Sequence, residues 1–585
     1  MSPTPGLLFV RMNPQNDLSP AEFHDWYNNE HGPTRLRLAC CENGFRYRAL
    51  DIARTPYSDY RTSDTSSVAK QDSSYSSPKA EWLAIYDIDD MAALEEDSYL
   101  RLRSPPWKSA REISVMSRIN VDRRLYDQVY STEVDSYKPV DTLPEGKSRL
   151  NILIVVSRTV LSSEVSDLLQ WYKDTRIPDL KSTPEWRRTR LWRTSIPVSE
   201  TAPATTEVQI IHEFAASASS SDQASLEQKA RQYTVADSDW KSSTSNTPDI
   251  RPYELHYIFG SAPRHLSATA PSYEHPQEGT KTAGAQDAGN GGGNGRSRVE
   301  SYIFTADGVK IPYLLEGSTD PEAPLIVLSN SVLVDWHIWD EFVDDFLSKP
   351  SNAGYRILRY STRGRTSDCG TTPITVDVLA SDIPALLNEL RVSQAAAAIG
   401  VSLGGATVLN FALRYPDRVA AVISCDTNSS SPPGNSKLWL DRIAIAKKEN
   451  ATGANAQGQQ EPIIGEELAE VTVRRWAVPE SYDGGYLESK LQQVKQSVRV
   501  NSLSGFEAVV KALWEYDLRP MMPTATVKAI FVVGAGDGKL PTSMKEMADS
   551  YAGGVPLKVV EGAGHLPMVE KPLEFSSIVT EFLSG

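Results

Sequence analysis

Short apolar runs alternate with helix-like segments through the second half of the chain. The runs cover residues 325–328, 356–360, 395–399, 419–424, 529–533 and 557–560. Continuous apolar runs of this length are typical of strands that are covered on both faces. Because helical patterns lie between them, the sequence predicts a doubly wound α/β domain over residues 299–585.

The first half shows one order of elements twice. Each copy begins with a strand-like run, at 7–11 and at 150–156, and continues into a helix that carries a Trp-Tyr pair. A second strand-like run follows at 82–88 and at 208–214. We therefore expect two α+β repeats, at residues 1–140 and 141–261.

Three sets of matching residues, in the same order, support the duplication. Trp26 and Pro33 are each 145 residues before their counterparts, Trp171 and Pro178. Further along lie the matching segments Trp107-Lys108-Ser109 with Trp240-Lys241-Ser242, and Asp122, Arg124, Tyr126 and Tyr130 with Asp249, Arg251, Tyr253 and Tyr257. Chance accounts for one such match more easily than for three.

Two polar stretches are expected to lie outside the packed domains. Residues 262–298 are rich in Ala, Gly, Ser, Thr and Pro and end in a glycine run. Such a composition buries too little apolar surface to offset its ordering entropy, which predicts a flexible linker. The Ser-rich stretch at 57–77 is expected to be an exposed loop.

Charge and composition exclude several classes of function. The net charge of −15 argues against nucleic acid as a partner, because phosphate binding needs a basic face. No apolar run approaches the roughly 20 residues that span a bilayer, and the N-terminus lacks a signal-peptide pattern. Four cysteines in 585 residues are no disulfide framework, so a cytoplasmic location is expected. The Cys and His spacing predicts no metal site, and no cofactor is expected.

The segment Gly400-Val401-Ser402-Leu403-Gly404 carries the most chemistry. It stands between the apolar run at 395–399 and a helical pattern at 406–413. G-x-S-x-G between a strand and a helix is the pattern of a nucleophile elbow. The small residues permit a turn tight enough to hold a strained serine clear of the strand. Ser402 is therefore the candidate nucleophile.

The ends of the last two predicted strands supply a candidate acid, Asp537, and a candidate base, His565. The chain order Ser, Asp, His is that of α/β-hydrolase triads. This half contains only two histidines, and His337 precedes the nucleophile, so His565 is the predicted base. Asp426, directly after the strand at 419–424, is the alternative acid, and Asp537 is preferred.

The oxyanion hole is expected from the backbone N–H of Leu403 and from that of Ser331 or Val332. Between 426 and 527 the strand–helix alternation stops, and we expect the insertion, at about 428–522, to form a helical cap. The side chains expected to line a substrate pocket are Trp336, Trp439, Trp476, Trp514 and Tyr516, with Arg442 or Arg475 holding a carboxylate. The tryptophans are as well explained by packing of the cap, and the arginines by a solvated surface.

The second half resembles the 3-oxoadipate (β-ketoadipate) enol-lactonases over about residues 301–585. The motifs that carry the resemblance are Leu328-Ser329-Asn330-Ser331, Asp335-x-His337-x-Trp339-Asp340, Arg356-x-Leu358-Arg359-Tyr360-x-Thr362-Arg363-Gly364, Gly400-Val401-Ser402-Leu403-Gly404-Gly405, Arg475-Trp476 and Asp517-Leu518-Arg519. The resemblance implies an α/β-hydrolase fold, a Ser402-Asp537-His565 triad and a cap over a small carboxylated enol-lactone. The sequence departs from the family at Leu333 and Val334, which are bulkier, and at Ser361-Thr362-Arg363-Gly364-Arg365-Thr366, where the family has Asp-Thr-Arg-Gly-His-Gly. These departures bear on the substrate.

The first half resembles the EthD-like branch of the dimeric α+β barrels, which have a ferredoxin-like fold. The motif is Phe23, Trp26-Tyr27 and Glu30-His31-Gly32-Pro33. The resemblance implies sheet-to-sheet pairing, either within this chain or in a homodimer. The second copy has Thr175-Arg176-Ile177 where the first has Glu30-His31-Gly32, so chemistry at His31 would exist once.

The first-copy motif leaves three roles open for Tyr27, Glu30 and His31. They are core packing in a scaffold, ligand binding, and a site with His31 as general base.

The hypothesis for the whole chain is a serine hydrolase that opens a lactone or related ester through an acyl-enzyme. The fused first half suggests a specialised role on an aromatic or polyketide-like metabolite. The alternatives are a carbon–carbon hydrolase of a β-diketone-like substrate, a bifunctional enzyme with a second site at His31, and a scaffold with a vestigial hydrolase. The expected partner is a small molecule, with a carboxylated substrate as one candidate.

Overall fold

The computed structural model describes residues 3–52, 79–143, 151–195, 204–215, 228, 232, 235–241, 247–285, 295–455, 457–482 and 484–585. The chain divides into two units, Met1–Thr280 and Lys281–Gly585. The Ser-rich stretch at 57–77 lies outside the described residues.

Eight antiparallel strands close into a barrel in the first unit. They are β1 (Gly6–Pro14), β2 (Cys41–Ala49), β3 (Trp82–Ile88), β4 (Ile119–Glu133), β5 (Asn151–Leu161), β6 (Trp186–Thr194), β7 (Thr205–Ala215) and β8 (Asp249–Ile258). The order around the barrel is β1-β3-β2-β8-β5-β7-β6-β4. Each half of the unit therefore contributes four adjacent strands, and the pairs β2–β8 and β4–β6 join the halves.

The helices of this unit follow the first and third strands of a half. They are α1 (Pro20–Trp26), α2 (Gly32–Leu36), α3 (Asp97–Leu100), α4 (Ala110–Ser117), α5 (Val165–Trp171) and α6 (Ile177–Lys181). A π-helical turn links α1 to α2 at Tyr27–His31, and another links α5 to α6 at Tyr172–Arg176. Such turns are rare, so their recurrence 145 residues apart supports equivalence of the two copies.

The alternation of side chains along the strands builds two cores. In β1, Leu7 and Phe9 join an apolar cluster made by strands of both halves, and Leu8 and Val10 join the cluster that contains Phe23 of α1. Successive side chains of a strand point to opposite faces. The first cluster thus fills the barrel, and the second packs the helices onto its outside.

The predicted linker at 262–298 is wrong for residues 262–285. Arg264 and His265 are buried on the first unit, and the side-chain amide of Asn29 pairs with both the N–H (2.9 Å) and the C=O (2.7 Å) of His265. A short strand, β9 (Tyr273–Glu274), follows. The composition of the segment gave no indication that Arg264 and His265 would be buried. Residues 286–294, which include most of the glycine run, lie outside the described residues.

The second unit has the α/β-hydrolase fold. Its strands are β10 (Lys281–Ala283), β11 (Arg298–Phe304), β12 (Lys310–Gly317), β13 (Leu325–Ser329), β14 (Arg356–Tyr360), β15 (Ala397–Val401), β16 (Ala421–Cys425), β17 (Thr452–Ala454), β18 (Gln460–Pro462), β19 (Lys528–Gly534) and β20 (Leu557–Val560). The main sheet runs β20-β19-β16-β15-β13-β14-β12-β11-β10 and is parallel from β20 to β14. This confirms the α/β fold that the apolar runs predicted.

Helices cover the sheet and form the insertion. They are α7 (Asp340–Ser348), α8 (Val376–Glu389), α9 (Leu403–Arg414), α10 (Asn435–Glu449), α11 (Glu466–Trp476), α12 (Glu488–Arg499), α13 (Leu503–Val509), α14 (Leu540–Ser550), α15 (Pro567–Glu570) and α16 (Pro572–Ser584). Helices α10 to α13 and the hairpin β17–β18 lie between β16 and β19. Among the described helices, none has the length and apolar character needed to cross a membrane.

The two ends of the insertion meet in a narrow neck. The N–H of Leu518 donates to the carbonyl of Ser429, and the N–H of Ser431 donates to that of Tyr516, both at 2.8 Å. The helical insertion between these points leaves the sheet after β16 and returns before β19.

Candidate active site

Ser402 lies in a strained turn between β15 and α9. Its φ of 58° and ψ of −118° are unusual for a residue with a side chain. The flanking glycines make this turn possible because the backbone approaches itself closely. A Cβ on Gly404 would lie 2.2 Å from the carbonyl oxygen of Ser329, and one on Gly400 would lie 2.1 Å from that of Gly404.

His565 and Asp537 form a hydrogen-bonded pair. Asp537 follows β19, His565 follows β20, and His565 Nδ1 lies 2.6 Å from Asp537 Oδ2. The parallel strands β15, β16, β19 and β20 all end at one edge of the sheet. The three residues that sequence reasoning selected thus lie at the same edge, with the imidazole already oriented by a carboxylate.

The cap reaches the candidate base directly. The indole of Trp476 stacks on the imidazole of His565, with ring centroids 5.8 Å apart and planes 20° apart. The backbone N–H of His565 donates to the carbonyl of Trp476 at 2.7 Å. The end of α11 therefore sets the position of the histidine.

The loop after β13 is held next to the elbow by side chains. Asn330 donates to the carbonyl of Tyr360 at 2.9 Å and accepts from the indole N–H of Trp339 at 2.8 Å. The carbonyl of Leu333, whose φ is 70°, accepts from Asn501 at 2.8 Å. Such anchoring suits a loop whose N–H groups, at Ser331 and Val332, are predicted to act together with Leu403.

Sequence reasoning missed the roles of Asn501 and Glu570. Glu570 is 2% exposed and accepts the N–H of Gly564 at 2.5 Å and that of Val478 at 3.0 Å. It therefore ties the cap to the loop that precedes His565. Burial raises the pKa of Glu570. The sequence feature that could have pointed to Glu570 is its place as an acidic residue directly after the apolar segment 566–569.

The predicted pocket residues divide into two groups. Trp439 and Trp476 are buried in the core of the unit, whereas Trp336, Trp514 and Tyr516 are half-buried. The hydroxyl of Tyr516 donates to the carbonyl of Asn428 at 3.0 Å, at the neck of the insertion.

Three indole N–H groups, those of Trp439, Trp476 and Trp514, are buried without an acceptor among the described residues. Buried donors are normally satisfied, so these three N–H groups are exceptions.

Arg442 and Arg475 form no ion pair with a described residue. The Arg442 guanidinium lies over the ring of Trp439, 4.3 Å from its centroid. Burial, and then the charge of Arg475, lowers the pKa of Arg442 to about 10. Arg475 is exposed to solvent, but many protein atoms lie around its guanidinium. This partial desolvation lowers the pKa of Arg475. The charge of Asp537 acts on Arg475, whereas no acidic group is among the charges that act on Arg442, so Arg442 is the better candidate to hold an anionic ligand.

The first unit brings Tyr27, Glu30 and His31 together at the π-helical turn. The rings of Tyr27 and His31 lie 4.8 Å apart, and His31 Nδ1 lies 3.2 Å from Glu112 Oε1. Burial lowers the pKa of His31 to about 4, and burial raises the pKa of Glu30 to about 7. Glu30 is therefore better matched than His31 to proton transfer near neutral pH.

In the second copy, an ion pair occupies the position equivalent to His31. Arg176, which stands where the first copy has His31, donates to Asp237 at 3.0 Å. Asp237 also accepts from Tyr172 at 2.8 Å. This network offers no counterpart to Glu30.

Comparison with known proteins finds similarity in the second half of the chain. A family model described as the alpha/beta hydrolase fold matches residues 324–572. 3-Oxoadipate enol-lactonase 2 of Acinetobacter baylyi is 25% identical over 280 residues, which are 47% of this chain and 94% of that protein. 3-Oxoadipate enol-lactonase 1 of the same organism is 25% identical over 291 residues, which are 49% and 99%.

Among solved structures, the enol-lactonase from Burkholderia xenovorans LB400 is similar at 27% identity, with a TM-score of 0.41. The match covers 48% of this chain and all of that one. The C-terminal half is an α/β hydrolase with enol-lactonase homologues.

Proposed function

We propose that the second unit hydrolyses a lactone or a related carboxylic ester through an acyl-enzyme. Ser402 attacks the acyl carbon while His565 accepts its proton, and Asp537 stabilises the imidazolium. His565 then protonates the leaving oxygen and activates a water that releases the acid. The hydrogen bond between His565 and Asp537, at the sheet edge where the strained Ser402 turn lies, carries this proposal.

The oxyanion of the tetrahedral intermediate would be held by backbone N–H groups. Leu403 is the first residue of α9, so its N–H is free of the intrahelical ladder. Ser331 and Val332 are buried in the anchored loop beside Gly404. These are the donors that the elbow motif requires.

The substrate class is proposed to be a small carboxylated lactone, opened without loss of carbon. Arg442 supplies positive charge that no described acidic residue pairs with, and Arg475, on which the charge of Asp537 acts, adds a second cation next to Arg442. The buried indole donors add contacts for carbonyl oxygens. The enol-lactonase relatives support the same class.

The test is turnover of a panel of enol-lactones and neutral aryl esters by the full chain. Ser402→Ala should abolish turnover and labelling by a fluorophosphonate. Arg442→Met should raise KM for a carboxylated lactone about tenfold and leave neutral aryl esters unchanged, which is typical of one charge-assisted contact. Arg519→Met, at an exposed arginine paired with Asp517, is the matched control.

Product analysis separates the lactonase from the carbon–carbon hydrolase. One ring-opened acid supports the lactonase, whereas two carbon fragments support cleavage of a β-diketone-like substrate. Absence of both turnover and labelling would refute the hydrolase and leave the scaffold hypothesis.

For the first unit we propose a tandem pair of ferredoxin-like, EthD-like repeats. The strand orders β4-β1-β3-β2 and β8-β5-β7-β6 support it, as does the recurrent π-helical turn.

A second activity in the first unit is proposed at Glu30. Its Oε2 atom is buried without a hydrogen bond among the described residues, and the guanidinium of Arg111 lies 3.9 Å from it. Glu30→Gln and His31→Ala should leave ester turnover at Ser402 intact. Loss of that turnover in either variant would refute the proposal that the two sites act independently.

A further inference from the structure

Asp426 lies beside the Asp537–His565 pair, on the neighbouring strand end. It follows β16, has a φ of 46° and is 1% exposed. Its N–H donates to the carbonyl of Val532 at 3.1 Å, and its Oδ1 accepts the N–H of Gly534 at 2.9 Å. Its Oδ2 is buried and has no partner in the hydrogen-bond network of the described residues. One carboxylate oxygen of Asp426, one of Asp537 and one ring nitrogen of His565 lie within 4.8 Å of one another.

A buried carboxyl group, Asp426, and a half-buried one, Asp537, do not both ionise at this distance, because their like charges repel strongly where water is largely excluded. The two groups differ in what stabilises an anion. Asp537 faces the N–H of His565, whereas Asp426 has one backbone donor. Burial, and then the charge of Asp537, raises the pKa of Asp426 well above its ordinary value. The other charged groups that act on this pair are Glu570 and Arg475.

We propose that Asp426 is a neutral carboxylic acid whose O–H donates to the carboxylate of Asp537. Asp426 is then a positioning residue: it holds the Asp537 rotamer that orients His565, and it keeps a single negative charge behind the imidazole. The orphaned Oδ2 gains a partner, because a protonated oxygen is a donor and Asp537 is an acceptor. This inference rests on the proposed hydrolysis at Ser402, but its protonation state can be measured without turnover.

The test compares two substitutions of Asp426 in the full chain. Asp426→Asn keeps an acceptor for Gly534 and replaces the O–H donor by an amide N–H, so kcat should stay within about threefold of the wild type. Asp426→Ala removes the donor, and kcat should fall about 10- to 100-fold with KM unchanged, as loss of one hydrogen bond to a charged group implies. If Asp426 acted through a negative charge, Asp426→Asn would lose kcat as well, because asparagine carries no charge. Equal losses in the two variants would overturn the proposal.

Difference infrared spectroscopy of the wild type against Asp426→Asn supplies a readout that needs no activity. A protonated-carboxyl band at neutral pH, lost in the variant, is expected. A carboxylate band in its place would overturn the proposal even if Asp426→Ala does not fold. Absence of Ser402 turnover in the wild type, with the protonated band present, would refute the proposed hydrolase and leave the protonation of Asp426 standing.

Discussion

Glu570 offers a test of how the cap positions His565. Its carboxylate accepts the N–H groups of Gly564, next to His565, and of Val478, two residues after Trp476. Glu570→Ala leaves both backbone N–H donors without an acceptor. Glu570→Gln keeps one acceptor oxygen, but it places an amide NH₂, which cannot accept a hydrogen bond, against the other N–H. A hydrogen bond to a charged group contributes about 1.5–3 kcal/mol. The free energy of unfolding of the second unit should therefore fall by about 4 kcal/mol in Glu570→Ala and about 2 kcal/mol in Glu570→Gln.

The assay is residual fluorophosphonate labelling of Ser402 across a urea series, which reports on the second unit alone. Ester turnover in the absence of urea should fall further in Glu570→Ala than in Glu570→Gln, because the loop before His565 loses its tie to the cap. Glu574→Gln, at an exposed glutamate of α16, is the matched control and should change neither quantity. If both Glu570 variants match the control, the carboxylate does not tie the cap to the histidine.

Two further perturbations test the elbow and the barrel. Gly404→Ala should lower kcat at least 100-fold, because its Cβ would meet the Ser329 carbonyl at 2.2 Å, whereas Gly354→Ala, with open space around it, should be neutral; equal activities would refute the close-approach argument. Burial raises the pKa of Glu30 to about 7 in the folded barrel, so protonation of Glu30 favours the folded state. Stability of the barrel relative to Glu30→Gln should fall as pH rises from about 4.5 to about 7, by about 3 kcal/mol in total. A pH-independent difference in urea unfolding would contradict that assignment.

The sequence alone determined the features that are written in neighbouring residues. Apolar runs marked the parallel strands of the second unit, and the G-x-S-x-G turn placed Ser402 between a strand and a helix. The order of Asp537 and His565 after the last two strands followed from the same local pattern. Parallel strands end at one edge of a sheet, so their assignment was enough to bring these residues to the same edge.

Only the tertiary structure decided which distant segments touch. The joining of the two barrel halves through β2–β8 and β4–β6, the packing of residues 262–285, and the contact of Glu570 with the cap depend on contacts between residues far apart in the chain. Local periodicity carries no information about such partners, because the free energy of a contact comes from the burial and hydrogen bonding of both sides. Asp426 illustrates the difference: its place after a strand was visible in the sequence, but its closeness to Asp537 arises from the pairing of β16 with β19.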